Sequence, residues 1–148
     1  MIRLLCVTVY VFNKEGTKTL MLNHRKLAKW MSPGGKVDPN EIPDAAALRE
    51  TFEETGLTVT LRGERAPVDG GLVRPFGVQQ NVIIPGEREH IDLIYAAVGD
   101  DVAMLQNAER ESAAVKWFAI DDVLQPDFNM FDSVKYWVKR LSAEIVDL

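Results

Sequence analysis

The chain is expected to form an α/β domain in which helices cover both sides of a mixed sheet. Several short β-rich runs alternate with turn residues, and only two segments carry helical spacing, one central and one C-terminal. The 148 residues are 47% hydrophobic and 26% charged, enough apolar material for one domain, residues 1–148, with its own core. That composition excludes a disordered chain and a fibrous repeat.

Residues 2–12 are dense in Val, Leu, Tyr, Phe and Thr and end at Asn13-Lys14-Glu15-Gly16, which reads as a buried strand and a turn. Thr19 to Asn23 reads as a second strand, forming a hairpin with the first. Ser32-Pro33-Gly34-Gly35 breaks the segment from Lys29 to Val37. Residues 43–55 read as a helix, with Pro43 suited to its first turn and Gly56 to the position past its end. Leu57 to Val68 reads as a strand. Gly77–Ile84 and His90–Val98 flank Pro85-Gly86 and read as a second hairpin, and residues 113–119 as a further strand. From 130 to 145, Met130, Phe131, Val134, Trp137, Val138, Leu141 and Ile145 recur at helical spacing.

A single cysteine, Cys6, excludes a disulfide scaffold and a multi-cysteine zinc site, and is expected to be a small buried hydrophobe. No apolar run approaches the ~20 residues that span a membrane. The segment before Cys6 is too short for a lipoprotein signal, so the cytoplasm is the expected compartment. With 17 basic and 22 acidic side chains the net charge is -5, which argues against a general nucleic-acid binder.

The chemistry concentrates between Gly35 and Leu57. Glu50, Glu53 and Glu54 fall at i, i+3 and i+4 of the central helix and share one face, within roughly 100° of one another. Ala45, Leu48, Phe52 and Thr55 cluster on the opposite side and form the expected apolar stripe. Three like charges on one face repel, by a few tenths of a kcal/mol per i,i+4 pair. A divalent cation would remove that repulsion, and Mg²⁺ takes oxygen ligands shared with substrate phosphates. The bland alternative is a solvated acidic face. Gly34-Gly35 allows close backbone approach, and Lys36 adds a positive charge beside it. Glu41 and Arg49 are placed to pair and tie the loop to the helix.

Gly35-x5-Glu41-x7-Arg49-Glu50-Thr51-x-Glu53-Glu54-x-Gly56-Leu57 resembles the Nudix box, G-x5-E-x7-R-E-U-x-E-E-x-G-U with U apolar. Its one departure is Thr51 in an aliphatic place, expected on the helix flank as a packing variation. The order of elements along the rest of the chain is similar to the family's as well. The resemblance implies an α/β/α sandwich and hydrolysis of a nucleoside diphosphate linked to another moiety, with Mg²⁺ or Mn²⁺. It implies that Glu50 and Glu54 bind metal, that Glu53 does so directly or through water, and that the Gly34 carbonyl is a further candidate ligand. Glu41, Arg49, Gly35 and Gly56 would hold the box in shape. Metal ions neutralise a diphosphate's charge and lower the pKa of bound water, and a carboxylate then orients or deprotonates that water. Family members take this base from a box glutamate (Glu53 or Glu50 here) or from a later loop, where Glu111 is the candidate; an exposed loop glutamate is the competing reading.

Candidate substrate contacts are Lys36, Trp30 just before the glycine loop, Arg25 in the basic cluster His24-Arg25-Lys26, and Phe131. Phe131 comes from a tail that resembles the oxidised-purine nucleoside triphosphate hydrolases of this family. It occupies their aromatic place, but Ser133 and Val134 stand where they have aspartates. A single Trp before a breaker loop is more often core packing, which is the competing reading for Trp30. His90 and Asp92 share a strand face, which reads as either solvent or a pocket wall, with solvent the expected neighbour.

The expected function is metal-dependent hydrolysis of a small nucleotide, foremost a nucleoside triphosphate (including the 8-oxo-dGTP type) giving a monophosphate and pyrophosphate. The alternatives are nucleotide sugars, dinucleoside polyphosphates and RNA 5′-triphosphate ends, the last disfavoured by the acidic total. A catalytically silent nucleotide-binding regulator is the reading of another class, and intact Glu50, Glu53 and Glu54 argue against it. Both monomer and homodimer are compatible with the sequence, and no membrane partner is expected.

Overall fold

The computed structural model describes residues 1–106 and 112–148. Its strands are β1 (Ile2–Phe12), β2 (Lys18–His24), β3 (Lys29–Met31), β4 (Gly34–Lys36), β5 (Thr60–Arg62), β6 (Gly77–Ile84), β7 (Arg88–Val98) and β8 (Ser112–Ala119). Its helices are α1 (Pro43–Thr55), the short α2 (Ile120–Val123) and α3 (Asp132–Glu144), which ends in a 3₁₀ turn at Ile145–Asp147. One mixed sheet runs β3-β2-β1-β7-β5, with β4 paired to β1, β6 to β7 and β8 to β2. Its spine is the parallel β1/β7 pair, in register from Ile2 against Arg88 to Phe12 against Val98.

Alternation along this spine builds two cores. Val7, Val9 and Val11 of β1, with Tyr95 and Ala97 of β7, pack against Ala46 and Ala47 of α1. Tyr10, Phe12, Ile94 and Ala96 face the other way, onto Val134, Trp137, Val138 and Leu141 of α3. This is the expected α/β/α sandwich. Each fully buried side chain of this size contributes about 1.5–3 kcal/mol.

The second face is only partly roofed. Helix α3 covers Tyr10 and Ile94 but leaves Cys6, Thr8, His90 and Asp92, farther along the same strands, to line an open cleft. The site occupies that gap.

Several expectations need correction. The β1–β2 hairpin splays after the single pair Phe12 and Thr19, because β4 takes the place beside β1 and β2 pairs mainly with β8. The Ser32–Gly35 breaker is a corner between two short strands, so Gly34 and Gly35 are strand residues. A side chain at Gly34 would meet the Val7 carbonyl oxygen at 2.3 Å, and only glycine permits this pairing. The strand expected over Leu57–Val68 shrinks to Thr60–Arg62 plus a bridge between Arg65 and Val73.

The predicted stripe on α1 holds only at Thr55. Ala45, Leu48 and Phe52 face outward, whereas Asp44, Ala46, Ala47, Thr51, Glu54 and Thr55 are buried. Two alanines let the helix lie close on a valine-rich sheet. The threonines are buried at little cost because their hydroxyls donate to the backbone one turn back, Thr51 to Ala47 at 2.8 Å and Thr55 to Thr51 at 2.6 Å. Thr51 thus packs in the core rather than on the flank. The helix ends as read, with Gly56 at φ 78° donating to the Phe52 carbonyl.

Candidate active site

Burial of one face of α1 brings Glu54 inward against β4. The Gly34 N–H donates to Glu54 Oε1 at 2.9 Å, and Glu54 is only 9% exposed. Glu50 comes from the adjacent turn and lies against the Gly35 backbone: a Cβ at Gly35 would sit 2.4 Å from its carboxyl carbon. The two glycines are therefore a side-chain-free window through which both carboxylates reach the cleft.

Arg49 fixes this arrangement. Its Nε and one terminal nitrogen donate to the two oxygens of Glu41 at 2.7 and 2.9 Å, and the same terminal nitrogen donates to the Lys36 carbonyl at 3.0 Å. Its other terminal nitrogen donates to Glu50 at 3.0 Å and Glu53 at 3.2 Å. The guanidinium bonds hold the Glu41 carboxyl below its usual range, and Glu41 in turn raises the Arg49 pKa. Arg49→Ala is expected to lower the melting temperature by about 4–8 °C, through loss of the bidentate pair and of the tie to β4. An unchanged melting curve would count against this anchoring role.

The cleft holds about 850 Å³, within the range of small-molecule sites. Glu50, Glu54, Gly34, Gly35 and Lys36 line one part of its wall, and Phe131, Ser133 and Val134 of the α3 entry line another. Phe131 is 39% exposed, with the Lys29 ammonium 5.1 Å from its ring centre. Other expected residues lie outside the lining. Glu53 is largely exposed and held by Arg49. Trp30 packs edge-on against Phe118 at 4.7 Å, although its neighbour Met31 lines the cleft. Arg25 is exposed on the turn after β2, between the cleft-lining His24 and Leu27. Glu111 lies outside the described residues.

For Asp92 the structure takes the pocket wall, the less expected of the two readings that strand alternation allows. Asp92 is 6% exposed and forms part of the cleft wall, not a solvated face. Thr8 Oγ1 donates to its Oδ2 at 2.6 Å and Asn81 Nδ2 at 3.3 Å. Burial pushes its carboxyl up to about 6, against the pull of those two hydrogen bonds. A folded-state pKa above the ordinary 3.8 means that ionisation is disfavoured in the folded chain. Stability from this group is therefore complete below about pH 4 and lost as pH rises through 6, by about 3 kcal/mol as an upper figure. Thermal melts of Asp92→Asn are expected to gain on the unmodified chain at pH 8 and not at pH 4. An equal difference at both values would remove the burial penalty. The signal in the sequence is the face that Asp92 shares with His90 on an otherwise apolar strand. Asp44 was missed: it is buried in the first turn of α1, accepts from Val73 N–H at 3.0 Å and pairs with Arg65 at 3.3 Å.

A mixed sheet between helices is a fold found in known proteins. The NUDIX domain model matches residues 3–140, and the chain belongs to that family. A Clostridium perfringens structure described as a hydrolase of the NUDIX family superposes with a TM-score of 0.81 at 27% identity, covering 98% of this chain and 99% of that one. A Bacillus subtilis (strain 168) protein named "Putative 8-oxo-dGTP diphosphatase" is 30% identical over 74% of this chain and 62% of its own length. Mouse diphosphoinositol polyphosphate phosphohydrolase 3-alpha is 30% identical over 76% of this chain and 60% of its own. The chain thus spans about 60% of the curated relatives it matches. Among the described residues, no helix is long and apolar enough to cross a membrane.

Proposed function

We propose that the chain is a divalent-metal-dependent hydrolase of nucleoside triphosphates, giving a nucleoside monophosphate and pyrophosphate. The observation that carries this reading is the placement of Glu50 and Glu54 against Gly34 and Gly35, at the wall of a cleft large enough for a nucleotide.

Among the described residues, no three His, Cys, Asp or Glu side chains converge into a complete metal cage. Two hard carboxylates beside a phosphate-sized space nonetheless suit Mg²⁺ or Mn²⁺, since Mg²⁺ usually takes one or two protein carboxylates and completes its shell with water and substrate phosphates. Glu54 and Glu50 would hold the ion, with the Gly34 carbonyl as a further donor. Bound there, it would supply charge neutralisation and a lowered water pKa. Lys36 would add positive charge at the phosphates, and a box glutamate or Glu111 would orient or deprotonate the attacking water. Arg49 holds Glu50 and Glu53 in place and pairs with Glu41, which is not among the lining residues of the cleft.

The base would lie against Phe131, Met31 and Leu27, a wall suited to a planar heterocycle. The name of the Bacillus subtilis relative agrees with this. A substrate as densely anionic as a diphosphoinositol polyphosphate would need more cations than Lys36 and Arg88, the Lys and Arg residues of the lining.

The test is a screen of purified protein with Mg²⁺ or Mn²⁺ against nucleoside triphosphates, their oxidised forms, nucleotide sugars, dinucleoside polyphosphates and 5′-triphosphate RNA. Phosphate release is read with and without added pyrophosphatase. Pyrophosphate from a nucleoside triphosphate, abolished by chelator, is expected. Turnover that ignores chelator, or none with any substrate, would overturn the reading.

A further inference from the structure

The polar side chains on the β6/β7 part of the cleft wall form one directed chain. Trp137 Nε1 of α3 donates to Gln79 Oε1 at 2.9 Å, Gln79 Nε2 donates to Asn81 Oδ1 at 2.8 Å, and Asn81 Nδ2 donates to Asp92 Oδ2 at 3.3 Å. An indole N–H can only donate, so Trp137 sets the orientation of Gln79, which sets that of Asn81. Thr8 delivers a second donor to the same Asp92 oxygen at 2.6 Å. Every bond converges on Oδ2, and Oδ1 is buried with no partner. A buried polar atom left unpaired is costly, and an ionised carboxylate can only accept. Among the described residues four buried side-chain polar atoms lack a partner, and two of them, Asp92 Oδ1 and Ser32 Oγ, belong to this cleft. Hydrogen-bonding capacity is thus left over where a ligand would sit.

We propose that Asp92, oriented by Thr8 and by the Trp137–Gln79–Asn81 chain, is the residue that selects the substrate's base, by accepting N–H donors from its edge. The inference rests on the nucleotide reading above and adds the group that would discriminate among nucleotides. A base with two adjacent donors, such as guanine with its ring N–H beside an amino group, fills the two lone pairs of the unpartnered Oδ1. Adenine offers an acceptor nitrogen beside its amino group, and that nitrogen meets the carboxylate with like partial charge. Asn81 and Thr8 are positioning residues: they hold the carboxyl and need not touch the base.

The experiment measures binding without hydrolysis. GMP, IMP and AMP are titrated into the protein in EDTA at pH 8, with affinities read by calorimetry or NMR shifts. The unmodified chain is expected to favour GMP over AMP by about tenfold or more, with IMP between, as one to two hydrogen bonds to a charged group allow. In Asp92→Asn an amide N–H faces the ligand, because turning the amide around would set its NH₂ against the Asn81 donor. The preference is expected to fall to within about twofold. Thr8→Val, close in shape, keeps the carboxylate but loses one of its donors, and the GMP to AMP ratio is expected to drop about threefold. A merely structural role would weaken all three ligands alike and leave the ratio unmoved. No preference in the unmodified chain, or a ratio that survives both substitutions, would overturn the proposal. Base discrimination without metal-dependent turnover would sink the hydrolase reading alone, and turnover with unaltered discrimination in Asp92→Asn would sink this one alone.

Discussion

Glu54→Gln is expected to lower metal-dependent turnover by about two to four orders of magnitude and to shift the melting temperature by no more than a few degrees. The two halves of the expectation have separate causes. Glutamine keeps an acceptor oxygen, so it can still take the Gly34 N–H that ties α1 to β4. It loses the negative charge and the anionic oxygen that a hard cation prefers. Initial rates at saturating Mg²⁺, beside a thermal melt, separate the two. Hydrolysis near the unmodified rate would remove Glu54 from the proposed metal site. A collapsed melt would make its role structural.

Gly34→Ala is expected to be among the most damaging single substitutions in the chain. The new methyl would lie 2.3 Å from the Val7 carbonyl oxygen and 3.1 Å from the Thr8 Cα, both backbone atoms of β1 that no rotamer change can move. Strand β4 would have to lift from β1, loosening the pairs Cys6–Lys36, Val7–Gly35 and Thr8–Gly34. A loss of about 10 °C in melting temperature is expected, in the range of an overpacked interior site. Activity should fall with it, because the Gly34 N–H that positions Glu54 moves too. A melt indistinguishable from the unmodified chain would show that β4 does not lie against β1 as described.

Much of this was legible before the fold was seen, where spacing alone carries the meaning. Pro43 and Gly56 bracket α1 because one lacks an N–H the first turn does not need and the other tolerates φ 78°. The Glu41–Arg49 pair followed from charge and distance along the chain, and the 27% exposed Arg49 side chain forms it in two bonds. The side of α1 that packs was not legible. Periodicity counted Ala45, Leu48 and Phe52 as core beside Thr55 and left Thr51 on the flank, whereas the valine-lined sheet admits only a close-lying face of Ala46, Ala47 and Thr51. Asp92, for which solvent was preferred to a pocket wall, was not settled for a related reason. Alternation tells which residues share a side of a strand, but not whether a helix begun at Asp132 roofs that side. The relay from Trp137 to Asp92 opens with a bond between Trp137 and Gln79, 58 positions apart, beyond the reach of any local pattern.

The partial roof over the sheet has a consequence for how such a molecule diversifies. The carboxylates proposed for hydrolysis project from α1 through a gap in one strand, while the groups proposed to choose the ligand grow from β6, β7 and the threshold of α3. Few covalent neighbours are common to both sets. Exchanges at Gln79, Asn81 or Phe131 would retune what enters without dismantling what cuts. Appetite and reactivity would then be inherited as separable traits.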